Sequence, residues 1–235
     1  MNYQTIVHDG FFKNPDKVRE WGLTLEYRHT DGTFPGIRTQ NLKNEHKKFY
    51  EATASKLMSL WGVYDRNDWE CQLQFQKIKR CTDDPALNTG WIHMDRGVQC
   101  AAVIYMDPNS NLDHGTSIYK MNEGCEENAR EWQKKHATAD ETNFYHRVLG
   151  AKQSRDPEDL KIFKTNMKIN NDMFTRTMEV KNVYNRVIGY DGNQWHGQSN
   201  FLMDNDDDFR LTIVCFITNC TKPATQRFSL KSRYI

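Results

Sequence analysis

Cys71-Gln72-Leu73-Gln74-Phe75-Gln76-Lys77-Ile78 alternates apolar and polar residues with a period of two. Side chains of an extended strand project to opposite faces in turn, so Gln72, Gln74 and Gln76 share one face and Leu73 and Phe75 the other. Outward from this segment the strand signature recurs at residues 90–95, 98–106, 115–119, 184–190 and 210–218, the last apolar on both faces. Before it lie helices. Asn14-Pro15-Asp16 combines an N-cap, a proline at the first helical position and an acidic first turn, followed by Val18, Trp21, Gly22 and Leu25 at helical spacing. Thr33-Phe34-Pro35-Gly36 reads as a turn, and a second helix is predicted from about 45 to 61 with Phe49, Thr53, Leu57 and Leu60 on one face.

Residues 120–178 differ in character. They are charged, poor in β-branched residues, and carry helix-like patches at 128–135 and 156–164, the second opened by Asp156-Pro157-Glu158-Asp159. With too little apolar mass for a core of its own, the stretch reads as an insertion between strands, placed to act as a lid and alternatively a solvated decoration or an oligomer contact. The whole chain, 1–235, is then one mainly β domain with an N-terminal helical flank over 1–66. The architecture predicted is a double-sheet jelly roll, the cupin-like double-stranded β-helix.

Composition narrows the function classes. Lys and Arg number 32 against 31 Asp and Glu, a formal net charge of +1, which argues against a nucleic-acid partner. Hydrophobic residues make up only 37% of the chain, but aromatics reach 12% and bury large areas with few residues. Met1-Asn2-Tyr3-Gln4-Thr5 lacks the pattern of a secretion signal, and no apolar run is long enough for a membrane span. The six cysteines, 71, 81, 100, 125, 215 and 220, form no Cys-x-x-Cys pair and read as reduced structural thiols. A soluble cytoplasmic protein is expected, in the host cytoplasm if the source is viral.

Two short segments carry the chemistry. In Trp91-Ile92-His93-Met94-Asp95 the i, i+2 spacing puts His93 and Asp95 on one face of an extended segment, and Gln194-Trp195-His196 follows a turn much later. Two imidazoles and one carboxylate form the facial ligand set of non-haem Fe(II), which leaves positions open for substrate and oxygen. His114, beside Asp113, is the main competing histidine and reads as exposed in a polar loop. Arg210 opens the last strand on the face of Thr212, Val214 and Phe216, where a guanidinium needs an anion. The run Asp204, Asp206, Asp207 and Asp208 offers one, which would make Arg210 structural. A bound diacid offers another, with the Thr212 hydroxyl as second donor.

The order His93-x-Asp95, then His196, then Arg210-x-Thr212 resembles the Fe(II)/2-oxoglutarate-dependent dioxygenase superfamily, over about residues 70 to 218. Phe11-Phe12-x-Asn14-Pro15, Phe34-Pro35-Gly36-x-Arg38-Thr39, Gly115-Thr116-Ser117-x-Tyr119 and Tyr184-Asn185-Arg186 resemble a prolyl-hydroxylase-like subgroup found in bacterial and viral genomes. The resemblance implies that His93, Asp95 and His196 bind Fe(II). It also implies that 2-oxoglutarate chelates the iron, that Arg210 and Thr212 hold its far carboxylate, and that Tyr105 is a further contact to it. With O2, such an enzyme hydroxylates a small-molecule or peptide substrate and releases succinate and CO2; related halogenases lack the carboxylate that Asp95 supplies. Gln74 and Gln76 would line the substrate cavity and Trp195 would shape it, unless the glutamines form an exposed sheet face and Trp195 a core-edge aromatic. A zinc hydrolase using the same three ligands, and a non-catalytic jelly-roll binding module, stay open as alternatives.

Overall fold

The computed structural model describes residues 3–28, 34–109, 111–127 and 156–221. Its frame is a six-stranded antiparallel sheet built from β1 (Ile6–His8), β2 (Ile37–Arg38), β3 (Trp69–Ile78), β4 (Cys100–Tyr105), β7 (Val187–Asp191) and β9 (Arg210–Cys220), in the order β1-β7-β4-β9-β3-β2. A three-stranded sheet, ordered β6-β5-β8, faces it and comprises β5 (Thr116–Met121), β6 (Phe174–Val180) and β8 (His196–Gln198). This is the jelly roll that the strand pattern predicts.

The central pair is β3 and β9, in register from Ile78↔Arg210 to Trp69↔Cys220 with one irregularity at Glu70/Cys71. Their alternation sorts the side chains. Leu73, Phe75, Leu211, Ile213 and Cys215 project outward and pack with Tyr50, Ala54, Leu57 and Met58 in the largest apolar cluster. The helices α1 (Pro15–Thr24) and α3 (Lys47–Leu60) cover that face. Gly22 is required where α1 meets the sheet, because a Cβ there would lie 2.4 Å from the Phe75 ring. On the inner face, Ala101, Tyr105, Ile188 and Tyr190 meet Ile118 and Val180 of the small sheet, a much smaller cluster. The rest of the interior, along β3 and β9, sets the polar Gln76, Thr212 and Arg210 beside the apolar Ile78, Val214 and Phe216.

Several expectations change in detail. The helix predicted over 45–61 is α3, and a short α2 (Leu42–Glu45) precedes it, separated at His46, whose backbone leaves the helical region (φ −127°, ψ 46°). Asn14 makes no side-chain cap, so Pro15 marks the start of α1, whereas Asp156 accepts from the amides of Glu158 and Asp159 to cap α4 (Pro157–Asn171). The 1–66 flank is not purely helical, since it supplies the edge strands β1 and β2. Residues 90–95 do not form a strand; only His93 pairs, in an isolated bridge to His196. Residues assigned to the insertion also belong to the sheet: β5 runs to Met121 and β6 begins at Phe174, its direct partner. The helical patch expected at 128–135 lies outside the described residues. All six cysteines are unbonded, five of them buried. Among the described residues no helix is long and apolar enough to cross a membrane.

Candidate active site

His93 and His196 stand directly opposite one another, joined by two backbone bonds, His93 N–H to the His196 carbonyl at 3.0 Å and the reverse at 2.9 Å. The chain then turns, and the Asp95 amide donates to the Gly192 carbonyl at 2.8 Å, which brings its carboxylate back toward both rings. The segment is held from behind by the end of α4. Asn171 Oδ1 accepts from the Ile92 amide at 3.0 Å, its Nδ2 donates to the Gly90 carbonyl at 3.1 Å, and Asn170 Nδ2 donates to the Ile92 carbonyl at 3.0 Å. Regular strand pairing is thus replaced here by side-chain amides. Nothing in the spacing of 90–95 signalled those two asparagines.

The ring nitrogens settle the chemistry of the triad. His93 Nδ1 lies 2.7 Å from the Trp91 carbonyl and His196 Nδ1 lies 2.9 Å from the Gln194 carbonyl. Carbonyls only accept, so each Nδ1 carries the hydrogen and each neutral ring presents its Nε2 lone pair. Both lone pairs face Asp95, His93 Nε2 at 3.5 Å from Oδ1 and His196 Nε2 at 3.4 Å from Oδ2. Two lone pairs converging on a carboxylate repel unless a cation lies among them. Asp95 Oδ2 is buried with no hydrogen-bond partner. One proton satisfies a single imidazole, whereas a metal ion satisfies all three groups together. The ligand atoms lie within 4.8 Å of one another, and ligands at right angles about 2.1 Å from an ion sit about 3 Å apart, so the fit is good.

Without an ion, a proton shared between the imidazoles and Asp95 takes its place. Burial opposes charge on His93, but Asp95 outweighs it and raises the pKa. His196 is deeper, and burial followed by the charge of His93 lowers its pKa. Burial pushes Asp95 upward, but the two imidazoles hold it well below the usual carboxylate range. The His93 side chain is 44% exposed against 5% for His196, so the centre opens on the His93 side. Tyr190 closes the inner side, its ring centroid 4.4 Å from that of His196.

Arg210 is 1% exposed. Its Nε donates to the His114 carbonyl at 2.7 Å, and its Nη2 is buried with no partner. The aspartate run does not neutralise it: Asp206 pairs with Arg80 and Asp207 with Lys79, and no ion pair reaches Arg210 among the described residues. Burial lowers the guanidinium pKa. Thr212, fully buried, also has an unsatisfied hydroxyl. Tyr105 stands opposite Thr212 on β4, its ring 5.4 Å from the guanidinium carbon, and its hydroxyl donates to Thr116 at 2.9 Å. His114 is buried rather than exposed, because its backbone is drawn inward to meet Arg210.

The remaining residues are placed as follows. Gln74 Nε2 donates to the Thr39 carbonyl at 2.8 Å and Gln76 Nε2 to the Pro35 carbonyl at 2.7 Å, so both amides fasten the 35–39 segment across the sheet. Trp195 packs on Phe174, 4.6 Å between centroids, in a cluster with Ile92 and Met173. That segment carries one residue to which the sequence assigned no role: Arg38, 9% exposed, lies on the interior face opposite Gln76.

Residues 2–217 match a family described as "Family of unknown function (DUF6445)". The chain belongs to that family. No protein of curated function matches its sequence. Solved structures do resemble the DUF6445 fold. HygX from Streptomyces hygroscopicus, with nickel and 2-oxoglutarate bound, is 11% identical with a TM-score of 0.52, covering 91% of this chain and 82% of its own. A prolyl-4-hydroxylase from Pseudomonas putida is 12% identical with a TM-score of 0.50, covering 92% of each chain. SnoN, a non-heme α-ketoglutarate-dependent epimerase from nogalamycin biosynthesis, is 10% identical with a TM-score of 0.51 over 95% of this chain and 82% of its own. This DUF6445 chain therefore shares the double-stranded β-helix fold of these structures, as the strand pattern predicts.

Proposed function

We propose that this protein is an Fe(II)- and 2-oxoglutarate-dependent oxygenase that hydroxylates a small-molecule or peptide substrate. The observation that carries the reading is the convergence of two imidazole lone pairs on Asp95, whose Oδ2 is buried and unsatisfied. Nε2 of His93 and His196 and a carboxylate oxygen of Asp95 would hold the ion on one face. Bound there, Fe(II) and 2-oxoglutarate together supply the two-electron oxidation of a substrate C–H bond by O2, with succinate and CO2 as by-products.

The chain's own residues do the rest. Arg210 Nη2 and the Thr212 hydroxyl, both orphaned donors in the interior, hold the far carboxylate of the keto acid. Tyr105 floors that pocket and lies under the guanidinium. Ile118, Val180 and Ile188 exclude water from the inner end. The carbonyls of Trp91 and Gln194 keep each imidazole in the tautomer that offers Nε2. The 120–178 insertion is proposed to cover the prime substrate, with α4 as its fixed base. The six unbonded thiols support a cytoplasmic location.

The test is an anaerobic titration of metal-free protein with Fe(II) and 2-oxoglutarate, followed by the weak visible charge-transfer band of the chelate. The band is expected in the wild type, absent in His196→Ala and weakened in Arg210→Ala. Folded, iron-loaded wild type with no band would sink the oxygenase reading and favour a zinc hydrolase or a binding module.

A further inference from the structure

Arg38 has an unusual setting. It is nine-tenths buried, on an interior-facing position of an edge strand, and its side chain makes no hydrogen bond or ion pair with any described residue. Its Nε is wholly buried and unpartnered. The guanidinium carbon lies 3.4 Å from the centroid of the Phe34 ring and 5.2 Å from that of Phe216. Aromatic rings cover the faces of the cation, but its five N–H donors point outward in its plane. The plane's edge is therefore unused, and that edge is the part of an arginine that grips a carboxylate in a bidentate fork.

The surrounding structure fixes this side chain in place. Gly36, at φ +80° and so close to β3 that a Cβ would lie 2.0 Å from the Lys77 carbonyl, lets the 34–38 turn press against the sheet. Gln76 and Gln74 tie the same turn down by the Pro35 and Thr39 carbonyls. Arg38, Gln76, Thr212 and Tyr105 form one row across β2, β3, β9 and β4, and the guanidinium leans from that row toward Phe216, the partner of Ala101. Ala101 in turn pairs with Tyr190, whose ring lies tilted against His196. The cation thus lies on the interior face that leads, by way of Phe216 and Tyr190, to His196. Its charge is felt by His93 and it feels Asp95, but no ion pair with Asp95 forms.

Charge balance says what the fork awaits. A divalent ion on the one carboxylate of Asp95, with Arg210 and Arg38 both cationic, leaves a single positive charge after a dianionic keto acid is bound. Arg210 accounts for the far carboxylate of the keto acid, and Arg38 has no counter-ion among the described residues. We propose that Arg38 is the recognition residue for a carboxylate of the prime substrate, which it holds beside the metal ligands between Phe34 and Phe216. This rests on the oxygenase reading and names the substrate class for it: a carboxylic acid with an apolar portion able to lie along the two rings.

The experiment uses protein loaded with Mn(II) and 2-oxoglutarate, a redox-silent paramagnetic stand-in. Proton relaxation of N-acetylglycine and N-acetylphenylalanine is compared with that of their carboxamides. Wild type is expected to relax the acids about tenfold more strongly than the amides at equal concentration, as expected for one charge-assisted pair. Arg38→Gln should abolish the difference and Arg38→Lys should keep part of it, with 2-oxoglutarate affinity unchanged in both. No preference in wild type would overturn the proposal, as would a preference that survives in Arg38→Gln, which would mean direct ligation of the ion. Loss of 2-oxoglutarate affinity in both Arg38 variants would assign the fork to the keto acid's own 1-carboxylate and overturn it too. Wild type that fails to load Mn(II) and 2-oxoglutarate would instead bring down the oxygenase reading itself.

Discussion

Replacing Arg210 by Met separates a ligand-binding arginine from a structural one. In the ligand-free protein the change removes one hydrogen bond, from Nε to the His114 carbonyl at 2.7 Å, a loss of about 1–2 kcal/mol. It also removes a fully buried cation that no carboxylate neutralises, and relief of that desolvation offsets the loss. The unfolding free energy of Arg210→Met, measured in urea without ligand, should stay within about 1 kcal/mol of wild type. Keto-acid binding should respond quite differently. The charge-assisted bond from Nη2 to the far carboxylate, about 1.5–3 kcal/mol, puts the deficit at roughly that amount, about tenfold to a hundredfold weaker affinity. Calorimetric titration of the Mn(II)-loaded proteins with 2-oxoglutarate reads this directly. A variant destabilised by more than about 3 kcal/mol that still binds 2-oxoglutarate normally would refute the reasoning and make Arg210 an anchor for the His114 loop.

Asn171→Ala removes two of the three side-chain bonds that brace residues 90–92 and should weaken Mn(II) binding about tenfold, the scale of losses behind metal ligands, as measured by titration with a metal indicator. Binding unchanged with only a lower melting temperature would confine Asn171 to stability. Gly22→Ala forces a methyl toward Phe75 and should cost about 1–3 kcal/mol in thermal unfolding; a neutral or stabilised variant would contradict the close approach of α1. Asp9 pairs with Arg186 at 2.5 and 2.9 Å, and that partner lowers its pKa. Because the folded-state pKa is the lower one, the pair contributes above the unfolded value of about 4 and is lost as pH falls through the folded one. Asp9→Asn should therefore cost under about 1 kcal/mol at neutral pH, the side chain being 61% exposed, and the gap should close in acid. A gap that widens in acid would reverse the assigned sign.

The strands that sequence alone revealed are those whose two faces meet different surroundings. β3 alternates because Leu73 and Phe75 face the helices while Gln74 and Gln76 face the partly polar interior. β6 was hidden inside a charged stretch because Thr175 and Arg176 are solvent-exposed, so its pattern resembles the insertion around it. The grouping of His93, Asp95 and His196, which could hold a metal ion, was readable from chemical type and order. The backbone between them was not: an i, i+2 pair looks the same in a regular strand as in a segment bridged only at His93 and held by Asn170 and Asn171. Arg38 and His114 escaped for one reason. An arginine's lack of a partner, or a loop histidine's burial, depends on what distant strands bring beside it, here Phe216 to the one and Arg210 to the other.

The long excursion after β5 has a consequence for how such a scaffold diversifies. Met121 and Phe174 are paired across the small sheet, so the chain departs and returns at points about 5 Å apart. Ends that close together let the intervening length change at little entropic cost, each doubling adding only about 0.6 kcal/mol. A graft between these two points, kept clear of the metal ligands and of the strands that carry Arg210 and Arg38, is a natural place to exchange one recognition element for another. The exchange has one fixed boundary. Asn170 and Asn171 must remain, since the last turn of α4 grips the backbone leading into His93. A chimera joined after Asn171 loses the brace behind His93, and one joined before Asn170 keeps it.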